Sequence, residues 1–321
     1  MCVEPAAARV LTHGLSVPGG IKQSRYDKRP IKPTKDHGNE GELPGVVRAL
    51  TATTTTAFEL LRYRELLVGL TWRDIRVRYK QSVLGIGWAV LLPLSLMLVF
   101  TFVFTRAIDV TAVWKVDMPY ALYAYCGLVP WTFFSMSLGG CVNSLVANRN
   151  LITKVYFPRE VFPISSVASS FVDFCIAMSV LVLLMAYFHL RGSWTYVPSY
   201  SLLFLPVVVA VQIVLTIGLG MMLAMANLFY RDVRQVFGVT IQLWMFVSAV
   251  VVPVPRDGSV LSSVIRLNPL VPLISAYRDC IIEGRLPEAG PFLALTAFSA
   301  AVLVFGWISF RRASYRFAEC I

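Results

Sequence analysis

Six stretches of the chain run for about twenty residues or more with almost no charge, at roughly 84–105, 120–147, 161–188, 200–227, 236–254 and 291–310. An α-helix needs about 20 apolar residues to cross about 30 Å of hydrocarbon. The pattern therefore predicts an all-α, polytopic membrane protein with six transmembrane helices. Three other segments depart from plain linkers. Between positions 68 and 79, Val68, Trp72, Ile75 and Tyr79 share one helical stripe with Arg73, Arg76 and Lys80 beside it, which predicts an amphipathic helix at the headgroup level. In 148–160, Leu151, Ile152, Val155, Tyr156 and Phe157 precede a stop at Pro158, Arg159 and Glu160. Apolar residues in so short a connection either fold back on the bundle or dock another protein. The stretch 261–284 is apolar enough to enter a bilayer but is broken by Arg266, Pro269, Pro272, Arg278 and Asp279. It reads as a re-entrant pair of half-helices between the last two spans, which must pack on protein or line a cavity because lipid-exposed irregular backbone is forbidden in hydrocarbon.

Composition agrees with this reading. Of 321 residues 57% are apolar or aromatic and only 15% charged, with a mean hydropathy of +0.67. Soluble domains carry about 25% charge. The net charge of +11 would suit nucleic acid, but most of the 29 Lys and Arg fall before the first span or in alternate loops. That is the asymmetry of a cytoplasmic face, and it places both termini inside. Residues 1–55, rich in Pro, Gly and basic residues, read as a disordered cytoplasmic tail, and 56–321 as the membrane domain. Cys2, Cys126, Cys141, Cys175, Cys280 and Cys320 form no C-x-x-C pair and read as small packing residues.

Polar groups inside the spans are few. Asp173 shares a helical face with Ser166, Ser170 and Ala177. An intramembrane carboxylate is a functional candidate by default, and an Asp satisfied by neighbouring hydroxyls in a small-residue packing face is the alternative. His189, at a span end, reads as structural. Trp114, Tyr120, Tyr123, Tyr125, Trp131, Phe133 and Phe134 crowd the second span and the loop before it. An interfacial belt would enrich Trp and Tyr there. Aromatic faces also stack on sugar rings, so a carbohydrate path stands beside the belt.

Enzyme chemistry finds no footing. There is no Gly-Lys dipeptide and hence no P-loop, no H-E-x-x-H, and no G-x-S-x-G. Glu160 and Asp232 are the only carboxylates in the inside loops between spans. No inverted repeat or set of ionisable residues suggests ion coupling. The chain is expected not to be an enzyme, to hold no metal or cofactor, and to depend on a partner for ATP and Mg.

The run from Arg64 to Thr105 resembles the start of the ABC-2 type permeases that export bacterial polysaccharides. The resemblance rests on Arg64, Glu65, Leu66 and Leu67, then Arg73, Asp74, Arg78, Tyr79, Ser82, Leu84, Gly85 and Trp88, with Pro93 early in the span. NLITKVYFPREVFP, NLFYRDVRQV and LNPLVPLISAYRD are similar to further segments of that family. It implies a homodimer in the bacterial inner membrane with two copies of a separate ABC ATPase, moving a lipid-linked polysaccharide such as O-antigen or capsule. On it, Leu151, Ile152, Lys154, Val155, Tyr156, Phe157, Pro158, Arg159 and Glu160 would couple to the ATPase. Trp72, Arg73, Arg76, Arg78 and Tyr79 would frame a cytoplasmic entrance. Tyr120, Tyr123, Tyr125, Trp131 and Phe134 are the candidates for a glycan path, and Asn268, Pro269, Pro272, Tyr277 and Arg278 for an outer gate. The competing expectations are an ABC-2 exporter of a drug, lipid or small molecule, and a membrane scaffold or sensor that transports nothing.

Overall fold

The computed structural model describes residues 63–80, 85, 87–106, 118–154, 158–194, 199–251 and 265–314. Among them every regular element is helical. They are α1 (Arg64–Lys80), α2 (Gly87–Arg106), α3 (Tyr120–Ala147), α4 (Arg149–Lys154) and α5 (Val161–Leu190). A 3-10 turn (Tyr200–Phe204) runs into α6 (Leu205–Phe229), followed by α7 (Val233–Val247). Then come α8 (Leu270–Arg278), continued by a π turn (Asp279–Glu283), and α9 (Ala289–Ser314). The predicted tail at 1–55 and the first residues of the predicted re-entrant segment, 261–264, lie outside the described residues.

Among the described residues four helical segments are long and apolar enough to cross a membrane: Gly87–Thr105, Val161–Leu190, Tyr200–Phe229 and Ala289–Ser314. The other two predicted spans differ in kind. α3 has 28 residues, ample length, but its tyrosines, Trp131, Gly139 and Gly140 dilute its hydropathy. The reason lies in its position. α3 packs against α2, α5, α6, α7 and α8, and most of its side chains are buried. A helix walled in by protein has no need of a lipid-like surface. α7 is only 15 residues, about 22 Å at 1.5 Å per residue, with no residue buried. It ends seven residues before the predicted limit of 254, because the chain turns at Ala249, which takes a φ of 52°.

α6 and α9 lie backbone to backbone. A Cβ at Gly306 would stand 2.5 Å from the Gly218 carbonyl oxygen, so only glycine allows this approach. The main apolar core fills the space among α3, α5, α6 and α8. A second, smaller core gathers Leu70, Leu145, Ile152, Val161, Phe162, Met221, Ala224, Trp307 and Phe310. It joins α1, α4 and the adjoining ends of α3, α5, α6 and α9 at one end of the bundle.

Candidate functional site

The predicted interfacial helix forms as α1, and its residues divide by task. Leu70 is buried, whereas Val68 and Trp72 on the predicted stripe stand 66% and 59% exposed. The Arg76 guanidinium lies 5.7 Å from the Trp72 ring centroid, and Arg73 pairs with its neighbour Asp74 at 2.8 Å. Arg78 and Tyr79 turn inward. Both donate to Asp173 of α5, Arg78 to Oδ2 and Tyr79 to Oδ1, and Arg78 also reaches Ser169 Oγ at 3.4 Å. The partners of Asp173 are thus Arg78 and Tyr79 and not the serines on its own face, and the carboxylate, 6% exposed, anchors α1 to α5. Burial, followed by the bond to Asp173, pushes the Tyr79 hydroxyl up to about 12. Tyr79 therefore stays a proton donor over the whole physiological range. Asp173 and Ser170 also wall a cavity of about 20 Å³ with Trp88, Thr132, Phe133 and Phe174. That is room for one water and not for a sugar.

At the same end of the bundle, α4 presents Leu151, 36% exposed, and tucks Ile152 into the second core. Val155, Tyr156 and Phe157 lie outside the described residues, as does the side chain of Lys154. After Pro158 the chain is fastened to the end of α9. Arg159 donates to the Ser314 carbonyl, and the buried Glu160 accepts from Arg311 Nε at 3.3 Å.

The aromatic group on α3 sits inside the chain's own core. Tyr120, Tyr123, Tyr125, Trp131 and Phe134 are all buried. Phe134 meets Trp244 of α7 edge-on at 5.5 Å, and the Tyr120 hydroxyl donates to the Val251 carbonyl at 3.0 Å. A role in a glycan path therefore requires α3 to part from its neighbours.

α8 is buried nearly throughout, as broken backbone in an apolar setting demands. Asn268 stands just before it. Its Oδ1 accepts from Trp244 Nε1 and Leu270 N, both at 3.1 Å, while its Nδ2 donates to Ser248 Oγ at 2.9 Å. Pro269 precedes the first turn and Pro272 lies within it. Tyr277 donates to Gln212 Oε1 at 2.6 Å, and Gln212 Nε2 donates to the Pro130 carbonyl at 2.7 Å. Arg278, 7% exposed, donates to the Ala249 and Val250 carbonyls at 2.9 and 2.6 Å and stands 3.7 Å from the Tyr123 ring centroid. A Cβ at position 127 would meet that guanidinium at 2.5 Å, so Gly127 makes room for it.

The profile of one family, described as ABC-2 type transporter, matches residues 65–282, from the first turn of α1 into the π turn after α8. The chain belongs to the ABC-2 type transporter family. It is 35% identical over 267 residues to the O-antigen export system permease protein RfbA of Myxococcus xanthus, covering 82% of this chain and 98% of that protein. A protein of the same name from Klebsiella pneumoniae is 29% identical over 259 residues, covering 80% and 95%. The polysialic acid transport protein KpsM of Escherichia coli is 24% identical over 240 residues, covering 74% and 90%.

Three sets of contacts in this ABC-2 protein were not read from its sequence. Arg78 and Asp173 lie 95 positions apart, and the basic residues of α1 read as a set facing lipid headgroups. Gln212 is the one Gln or Asn within the first 22 residues of α6, a signal that something must satisfy it, but nothing local names Pro130 and Tyr277. Arg311 and Ser314 lie in a basic helix end with no local sign of a partner. Their partners at Glu160 and Arg159 come from more than 150 positions away.

Proposed function

We propose that the chain is the membrane permease subunit of an ATP-binding-cassette exporter that moves a lipid-linked polysaccharide, of the O-antigen or capsule kind, across the bacterial cytoplasmic membrane. The observation that carries this reading is the match over nearly the whole length of relatives named for O-antigen export and polysialic acid transport. ATP hydrolysis falls to a separate subunit, two copies of which dock at the α4 end. That end is cytoplasmic in this reading, because it holds the basic α1 and the charged Pro158–Glu160 stop. Leu151 and the residues on to Glu160 take up the stroke, α1 frames the entrance, and α8 lies towards the exit.

A second copy of the chain completes the path. The single chain has a cavity fit only for a water between α2, α3 and α5, while Val236, Val239, Leu243 and Phe246 of α7 stand 62–65% exposed in one apolar stripe. A path wide enough for a glycan then lies between two protomers.

Deleting the gene tests the reading. Loss of surface glycan, its build-up on the cytoplasmic side, restoration by the gene, and co-purification of a P-loop ATPase are expected. Unchanged surface glycan, with export of a small amphiphile lost instead, would transfer the chain to the small-molecule branch of the family. A purified chain that brings down no ATPase would leave it a scaffold.

A further inference from the structure

Two consecutive residues after α4 grip the last turns of α9. Glu160, 6% exposed, accepts from Arg311 Nε at 3.3 Å, and Arg159 donates to the carbonyl of Ser314, the last residue of the helix. The final carbonyls of a helix have no partner within it and carry the negative end of its dipole, so a guanidinium is the fitting cap. Beneath these polar contacts Ile152 of α4 shares the second core with Trp307 and Phe310 of α9. The segment assigned to the motor thus holds α9 by charge and by apolar contact.

α9 is suited to carry a displacement. Its 26 residues form one helix about 39 Å long, with its proline, Pro291, in the first turn. The Gly218–Gly306 contact locks it against α6 backbone to backbone, so the two shift together. At the far end the same pair meets the π turn that continues α8. Phe292 of α9 packs edge-on against Phe204 at 5.3 Å, and Ser201 Oγ donates to the Cys280 carbonyl in the π turn at 3.0 Å. Only residues 284–288 separate that turn from α9.

We infer that α9, with α6 fixed beside it, is the rod that relays the coupling segment's movement to α8, and that Glu160 and Arg311 are the positioning residues that fasten the rod to the motor side. This rests on the reading of the chain as a permease driven from the α4 end. The rival route runs through α5, which begins directly after Glu160 and bears Asp173. It needs no bond to α9.

The test uses the full complex of permease and ATPase in proteoliposomes, with wild type first shown to hold its ATPase and to export. Failure at that step would overturn the functional reading, and the relay is judged only beyond it. Three variants are compared: R311E, E160R and the double reversal E160R/R311E. A fluorophore on L286C reports on the loop between the π turn and α9, where Leu286 is 64% exposed. R311E should retain the ATPase, lower export by about tenfold and lose the ATP-dependent fluorescence change. E160R should also lose export and that change. The double reversal should return both to within about threefold of wild type. R311M, which removes the charge without reversing it, serves if R311E does not fold, and should show a weaker loss of both signals. If R311E or R311M exports and signals as wild type does, or if a folded, ATPase-bound double reversal regains neither, the relay is wrong and α5 takes its place.

Discussion

At the α8 end of the bundle the non-spanning segment is buried on nearly every side and held by contacts that leave little freedom. Asn268 ties it to the end of α7, Tyr277 and Gln212 tie it to α3 and α6, and Arg278 spends its guanidinium on two carbonyls and the face of Tyr123. At the α4 end, α1 is half-exposed, and it and residues 158–160 are held by the second core and a few charged pairs: Arg78 with Asp173, Glu160 with Arg311. Arg78 keeps 31% and Arg311 35% of its side chain exposed. A guanidinium with water at its back loses less on parting from its acceptor than a fully buried donor bound to carbonyls does. The difference assigns tasks. One end is built to keep its shape, and the other is held by pairs that water reaches.

The largest effect should come from the rigid end. Arg278→Ala strips two buried carbonyls of a charged donor and Tyr123 of its cation, at a cost of about 3–5 kcal/mol. It should collapse the yield of monodisperse protein in detergent and lower its melting temperature sharply. A variant as stable as wild type would remove the contrast between the ends. Asp173→Asn should cost less, about 2 kcal/mol, because Arg78 regains water. Hydrogen exchange in α1 should quicken while α8 keeps its protection. Equal loosening of both would show one cooperative unit instead of two. Tyr79→Phe removes one donor to a carboxylate, about 1.5 kcal/mol, and should raise exchange in the last turn of α1. The smallest effect, at most about 0.5 kcal/mol, belongs to Arg73→Ala, whose pair with its neighbour Asp74 is half-exposed at the helix surface. A loss there as large as that of Asp173→Asn would mean that the surface of α1, and not its buried anchor, decides its hold.

Most of the fold was legible because its elements are set by local patterns. The predicted limits of α3 coincide with the observed Tyr120–Ala147, and α5 begins at the predicted Val161. Where tertiary contact decides, the reading stopped short. The chain leaves α7 at Val247 because Ser248, Ala249 and Val250 are claimed by Asn268 and Arg278, and no periodicity in 236–254 records that. The aromatic crowding on α3 was read as a belt or a path, since both put Tyr and Trp near a span end. Burial among α5, α7 and α8 makes the same composition a packing surface. The residues of the candidate site were named by type, and their pairings were not, because the pairings join different elements, as far as 155 positions apart for Arg159 and Ser314.

Purified permease and its ATPase, reconstituted together in liposomes with a fluorescent lipid-linked glycan on the ATPase side, test the central claim most directly. ATP-dependent arrival of the glycan at the opposite face is expected, lost when the permease is omitted or the ATPase cannot hydrolyse ATP. ATP turnover in an intact, assembled complex without any movement of the glycan would contradict it.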